Sequence, residues 1–206
     1  PLLSWTLSPL STDFIFVGSD YIYPRSVNRQ ARSFVEALGC RILRDEYFPL
    51  GCEDFSRLLE DVRALRTGPP PAIFSTLVGR SIPAFYRQHR QMGPPTSIVS
   101  PITSELELSC MGPDAAAGHY FADGHLENPE LSPRDGFAAE HGRRFGDKPT
   151  NGMMAAVYEA ILLLGRHLLR SRADAGAPAR SRMAAGLRAA RHETQNGRIV
   201  LDPRSQ

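Results

Sequence analysis

Short apolar runs alternate with amphipathic segments through the first 121 residues. Continuous or alternating apolar runs predict strands at residues 14–17, 41–49, 72–75, 97–100 and 118–121. Apolar positions at helical spacing predict helices at residues 26–38, 54–66 and 81–91. Alternation of strands with helices of this length is typical of a parallel sheet with right-handed crossovers. The predicted fold class is therefore α/β, with a three-layer parallel sheet and flanking helices.

The pattern changes after residue 133. Helices are predicted at residues 133–145, 151–172 and 180–191, with an Ala/Gly/Pro linker at 173–179. Asn196 and Gly197 form a hairpin-type turn before a strand at 198–201. These helices need a sheet that this part of the sequence does not supply. We therefore expect the wide apolar face of 151–172 to be exposed or covered by a partner chain, which includes a homodimer.

A candidate ligand site begins where the first strand ends. The run 14–17 breaks at Gly18, Ser19 and Asp20, and Tyr21 and Tyr23 follow. If the segment is extended, the two phenols point the same way and present an aromatic, hydrogen-bonding surface. The carboxyl ends of parallel strands bind ligands in open α/β sheets, so the exits 18–24, 76–80 and 101–105 should converge.

Simpler interpretations of the same residues stay open. Tyrosines at strand ends often only cover the core, and Val78 and Gly79 fit an ordinary loop. Thr103, Ser104 and Glu105 fit the start of a helix over 104–111, with an N-cap and an acid in the first turn.

Charge and cysteine content exclude several classes of protein. The chain has 24 Lys and Arg against 22 Asp and Glu, a net charge of +2, and no block of like charges to favour nucleic acid or an anionic membrane. No membrane span is predicted, because the longest apolar segment, 153–169, contains Glu159, Arg166 and His167. Three widely spaced cysteines give neither a disulfide framework nor a zinc pattern, and weakly favour a reducing compartment.

Sequence motifs for catalysis are missing. Gly18 stands alone where dinucleotide binding needs G-x-G-x-x-G, and no G-x-S-x-G marks a serine hydrolase. The spacing of Cys110, His119, Asp123 and His125 matches no standard metal set. We therefore predict no catalytic residue, metal or cofactor, and keep an enzyme on a Rossmann-like sheet as an alternative from another class.

Several motifs follow one another along the chain at residues 16–25, 46–50, 74–79, 103–105, 118–120, 150–151, 155–159 and 196–203. In this order they resemble the amide- and urea-binding branch of the type I periplasmic binding proteins. This family includes the solute-binding subunits of urea and short-chain amide ABC importers. It also includes the cytoplasmic amide sensor of the aliphatic amidase operon, which restrains an antitermination regulator.

The resemblance implies a two-lobe protein that binds its ligand in the cleft. Residues 1–125 would form the second lobe. Residues 126–206 would supply helices and a late strand of an incomplete first lobe and the return crossing, so the sequence looks like the C-terminal part of a longer protein. The resemblance also assigns ligand contacts, namely the pocket tyrosines Tyr21 and Tyr23, a loop contact from Ser19, a pocket wall from Val78 and Gly79, and an amide-binding hydroxyl from Thr103.

The function that the resemblance implies is non-catalytic binding of a small neutral amide or urea-like solute. In an importer the partner would be an ABC permease and the location periplasmic. In the alternative sensor the partner would be an antitermination regulator and the location cytoplasmic.

Overall fold

The computed structural model describes residues 2–3, 11–65, 69–125, 136–146, 148–171, 181, 186–187, 191–194 and 197–200. Contacts between Cα atoms divide the chain into two compact units. The N-terminal unit is Pro1–Asp123 and the C-terminal unit is Gly124–Gln206.

The N-terminal unit alternates strands and helices. Its strands are β1 (Asp13–Ser19), β2 (Arg41–Phe48), β3 (Ala72–Thr76), β4 (Ile98–Ser100) and β5 (Tyr120–Phe121). Its helices are α1 (Ile22–Ala37), α2 (Ser56–Ala64), α3 (Ser81–Met92), α4 (Glu105–Met111) and α5 (Pro113–Ala116). The strands form one parallel sheet in the order β2-β1-β3-β4-β5. The predicted α/β class is confirmed.

Helices cover both faces of the sheet because the central strands are apolar on both faces. On one face Ile15, Val17 and Ile73 pack with α2 and α3. On the other face Phe14, Phe16 and Phe74 pack with α1. All seven residues of β1 are buried, as expected for a central parallel strand, and each large apolar side chain contributes roughly 1.5–3 kcal/mol.

Most predicted elements lie within a few residues of the observed ones, but α1 differs at its start. It begins at Ile22, not at residue 26, because Pro24 falls in the first turn, where the missing N–H costs no helical hydrogen bond. Of the apolar positions at helical spacing in 26–38, Ala31 and Val35 are buried, whereas Phe34 and Leu38 are 40% and 54% exposed.

Two helices and a hairpin can be delimited among the described residues of the C-terminal unit. The helices are α6 (Phe137–Phe145) and α7 (Gly152–Ser171), and the antiparallel hairpin pairs β6 (Arg191–Thr194) with β7 (Gly197–Val200). A helix that includes residue 191 is wrong, since Arg191 begins β6. The rest of the predicted helix 180–191 lies largely outside the described residues, as do the linker 173–179, residue 196 and residue 201.

Helix α7 carries a broad exposed apolar surface. Asn151 caps its start by accepting a hydrogen bond from the Met154 N–H at 2.9 Å. The exposed side chains include Met153, Val157, Ile161, Leu164, Leu168 and Leu169. By length and composition, 152–169 is the one helical segment of the described chain apolar enough to cross a membrane, with a mean hydropathy of 1.3. Core helices of soluble proteins can be equally long and apolar, so the prediction that the chain has no membrane span stays a prediction.

Candidate functional site

The exits of β1 and β3 are joined by a hydrogen bond. Val78 donates its backbone N–H to the Ser19 hydroxyl, with N and Oγ 3.1 Å apart. Parallel register places Gly18 beside Thr76 on one side and beside Tyr47 on the other. The strand ends therefore meet at one edge, where α/β sheets bind ligands.

Gly18 lets three elements approach closely at this edge. A Cβ atom at Gly18 would lie 2.8 Å from the Thr76 hydroxyl, 3.1 Å from Pro24 Cβ and 3.2 Å from the Tyr47 ring. A glycine in a strand often marks such a close approach. Gly18 is thus required for packing between β1, β3 and α1, a role that its sequence position alone does not reveal.

Tyr21 and Tyr23 are brought together by the start of α1. Tyr21 is the extended N-cap residue and Tyr23 lies in the first turn. Their ring centroids are 6.2 Å apart and the rings are inclined by 31°. The segment is helical from Ile22 and not extended, so the argument from an extended chain does not apply here, but the helical turn still pairs the rings. Burial, and then the proximity of Tyr21, raises the pKa of Tyr23, which keeps its phenol protonated as a hydrogen-bond donor.

A buried polar cluster lies beneath the tyrosines. The Thr76 hydroxyl donates to Asn28 Oδ1 at 2.9 Å, and Asn28 is fully buried on α1. Burial is the main cause of the raised pKa of Tyr47 on β2. Because the bond between Thr76 and Asn28 joins β3 to α1, it fixes the helix that carries the two tyrosines.

Opposite charges flank the tyrosines. Arg25 donates through Nε to Asp20 Oδ1 at 2.7 Å, and its guanidinium carbon lies 4.4 Å from the centroid of the Tyr47 ring. Both charged side chains are about half exposed, at 52% and 49%. Tyr47 falls within a segment that resembles the binding-protein family, yet sequence reasoning did not assign it to the site.

Thr103 is buried next to Tyr86. Their hydroxyl oxygens are 3.3 Å apart, and the Thr103 N–H donates to Ser100 Oγ at 3.0 Å. Burial raises the pKa of Tyr86 to about 12, so its phenol stays protonated. Ser104 begins α4 with a capping box that includes Glu107, which confirms the predicted helix start there. A ligand-binding role for Thr103 stays a prediction.

Val78 and Gly79 form the turn before α3. Gly79 has a φ of +60°, a conformation that glycine adopts without strain, and a Cβ atom there would meet open space. Its carbonyl accepts a hydrogen bond from the Ile82 N–H at 3.1 Å, which ties the turn to the helix. The turn therefore offers exposed backbone beside Ser19, and its role as a pocket wall stays a prediction.

Metal-binding side chains do not cluster in the described part of the chain. No group of three His, Cys, Asp or Glu residues there could hold an ion. Two of the histidines considered for a metal site have other partners. His119 Nδ1 accepts the Ile98 N–H at 3.0 Å, and His125 Nε2 lies 3.0 Å from the Thr150 hydroxyl.

Solved solute-binding proteins share this fold. A solute-binding protein of an ABC transporter from Rhodopseudomonas palustris BisB5, in complex with 3,4-dihydroxybenzoic acid, has a TM-score of 0.80 at 20% identity, over 99% of this chain and 55% of that one. One from R. palustris in complex with benzoate has a TM-score of 0.76 at 15% identity, covering 93% and 51%. The branched-chain amino acid transporter substrate binding protein LivJ from Streptococcus pneumoniae, in complex with isoleucine, has a TM-score of 0.77 at 18% identity, covering 97% and 56%.

The fold is thus that of a type I periplasmic-binding-protein lobe. Residues 1–206 match the model of the periplasmic binding protein domain, so the chain belongs to that family. It spans about half the length of these solved structures.

Proposed function

We propose that this protein is the non-catalytic, solute-binding component of an ABC importer and that it binds a small neutral amide or urea-like solute. Membership of a binding-protein family and the solved structures described as ABC transporter proteins support the importer over an enzyme or a cytoplasmic sensor. On this proposal the protein works outside the cytoplasm and delivers its ligand to a permease.

The side chains that follow β1 support the proposal that the ligand is neutral. The paired rings of Tyr21 and Tyr23 supply an aromatic wall with phenolic donors, and the nearby cation, Arg25, is already paired with Asp20. An amide or urea needs donors, acceptors and a flat apolar surface, whereas a carboxylate ligand calls for an available cation. Ser19, Val78, Gly79 and Thr103 are proposed as further contacts.

We also propose the division of the chain into lobes. Residues 1–125 would form one lobe, and residues 126–206 would contribute helices and a strand to the other lobe and the return crossing. The exposed apolar face of α7 supports this arrangement, since a helix of this kind normally covers a sheet. Solute would bind between the lobes, and closure would be a hinge motion whose population the solute shifts.

Calorimetric titration tests the proposal. The protein with both lobes present is titrated with urea, acetamide, benzoate and isoleucine, in unmodified form and as the variants Tyr21→Ala and Tyr23→Ala. We expect acetamide or urea to bind and each substitution to weaken binding about tenfold, because a stacking partner and a hydrogen bond are lost. Phe34→Ala is the matched control, since Phe34 is an exposed aromatic residue near the other end of α1.

The outcomes separate the candidates. Binding of benzoate or isoleucine without binding of any neutral amide contradicts the amide proposal and favours a carboxylate solute. Equal loss in Phe34→Ala and Tyr21→Ala contradicts the position of the site.

A further inference from the structure

The two tyrosines of the candidate site are bracketed by one acid and one base. Asp20 precedes Tyr21, and Arg25 follows Tyr23 by two residues. The Asp20 Oδ1 atom lies 2.7 Å from both Nε and an Nη nitrogen of Arg25. A single carboxylate oxygen therefore occupies one edge of the guanidinium.

The helix holds Arg25 close to the tyrosines. The Arg25 N–H donates to the Tyr21 carbonyl at 3.3 Å, the first helical hydrogen bond of α1. Residues four apart lie on the same side of a helix, so the base of the Arg25 side chain shares a side with Tyr21. A guanidinium in such a position is the preferred protein partner of a ligand carboxylate.

One edge of this guanidinium and the side toward Tyr47 have protein partners. Asp20 occupies an edge, and the guanidinium carbon lies over the Tyr47 ring, 4.4 Å from the ring centroid. Asp20 is itself anchored to β2, because its N–H donates to the Phe48 carbonyl at 2.7 Å. The pair is therefore held by β2 and α1, although both side chains are half exposed.

We propose that Asp20 is a specificity-determining residue that occupies Arg25 and so makes the site select neutral solutes over carboxylates. The inference rests on the proposed function, because it assumes that solute binds against Tyr21 and Tyr23. It adds a reason for selectivity: a carboxylate solute has to displace Asp20 from Arg25 and meets the repulsion of Asp20 as well. A neutral solute meets neither cost.

Substitution of Asp20 tests the inference. Binding of acetamide and of benzoate is measured by calorimetry for the unmodified protein, for Asp20→Asn and for the double variant with Arg25→Gln. We expect Asp20→Asn to raise the affinity for benzoate by about tenfold, because Arg25 becomes free to bond a carboxylate, with little change for acetamide. The double variant should lose this gain. Asp20→Ser serves as a second variant with the same expected result, and thermal unfolding of each protein confirms that it is folded.

A matched control separates a local effect from a change of net charge. Glu36→Gln also removes one carboxylate from a guanidinium, since Glu36 lies 3.2 Å from Arg32 toward the far end of α1. Benzoate affinity should not change in this variant. An equal gain in Glu36→Gln, or no gain in Asp20→Asn and Asp20→Ser, overturns the role of Asp20.

The two proposals fail separately. If the unmodified protein binds neither acetamide nor urea, the proposed function is contradicted, while the benzoate comparison still decides the role of Asp20. If acetamide binds and Asp20→Asn gives no gain for benzoate, the proposed function stands and this inference is overturned.

Discussion

The Ser19 hydroxyl accepts a hydrogen bond from the backbone N–H of Val78, with 3.1 Å between the two atoms. This contact connects the exit of β1 to the exit of β3 and orients two loops of the candidate site. Ser19 is fully buried, so no water can replace the hydroxyl without a rearrangement.

Ser19→Ala should therefore destabilise the protein by about 1–3 kcal/mol, because the Val78 N–H loses its acceptor. Urea denaturation followed by circular dichroism measures the loss. Ser33→Ala is the matched control, since the Ser33 hydroxyl bonds the Arg29 carbonyl on an exposed part of α1. A cost no larger than that of the control contradicts a structural role for the contact.

Gly18→Ala should be more damaging than most Gly-to-Ala changes. The new methyl group would lie 2.8 Å from the Thr76 hydroxyl and 3.1 Å from Pro24 Cβ, so β3 or α1 has to shift at a cost of roughly 1–3 kcal/mol. The control is Gly142→Ala within α6, where a Cβ atom meets nothing within 4 Å. That change should stabilise its helix slightly. Unfolding midpoints check both, and a neutral Gly18→Ala contradicts the close packing.

The strands could be predicted from sequence because each is a local pattern. A continuous run such as Phe14 to Val17 predicts burial on both faces of a sheet, and all seven residues of β1 are buried. The start of α1 could not be predicted in the same way. Proline ends most helices in whose interior it falls, yet it is tolerated in a first turn. The sequence around Pro24 does not show which of these two positions it takes.

The position of the candidate site could be predicted from the sequence, but the contacts between its residues could not. Topology alone indicated that the exits of β1 and β3 converge, as the bond between Ser19 and Val78 shows. The Tyr47 ring against Arg25 joins residues from different elements, and no spacing in the sequence encodes such a contact. The same holds for the Thr76 and Asn28 bond, which joins residues 48 apart.

Thr103→Val should weaken solute binding about fivefold if its hydroxyl bonds the ligand, as proposed. Thr103→Ser keeps the hydroxyl and should bind nearly normally. Tyr86→Phe is the matched control, because it removes the hydroxyl that lies 3.3 Å from that of Thr103 and leaves Thr103 in place. Calorimetry with acetamide measures affinity, and urea denaturation measures stability. Equal losses of affinity in Thr103→Val and Tyr86→Phe contradict a direct contact between Thr103 and the ligand.

Two neighbouring histidines, His89 buried and His119 partly buried, predict a loss of stability in acid. His89 and His119 have ring centroids 4.9 Å apart. Burial is the main cause that lowers the pKa of each to about 4, and for His89 the charge of His119 adds to it. The neutral forms also hold the fold: His89 Nε2 lies 2.8 Å from the Thr96 hydroxyl, and His119 Nδ1 accepts the Ile98 N–H.

The sign of the effect follows from these depressed pKa values. The unfolded chain binds protons near pH 6.5 and the folded protein only near pH 4, so stability is complete above about pH 6.5 and falls as the pH drops toward 4. Each histidine should contribute on the order of 2–3 kcal/mol to this loss. Urea denaturation at intervals from pH 7.5 to 4.5 measures the slope. His89→Gln keeps a side chain able to bond Thr96 but does not titrate, so its stability should fall less steeply. A slope equal to that of the unmodified protein shows that His89 is not responsible.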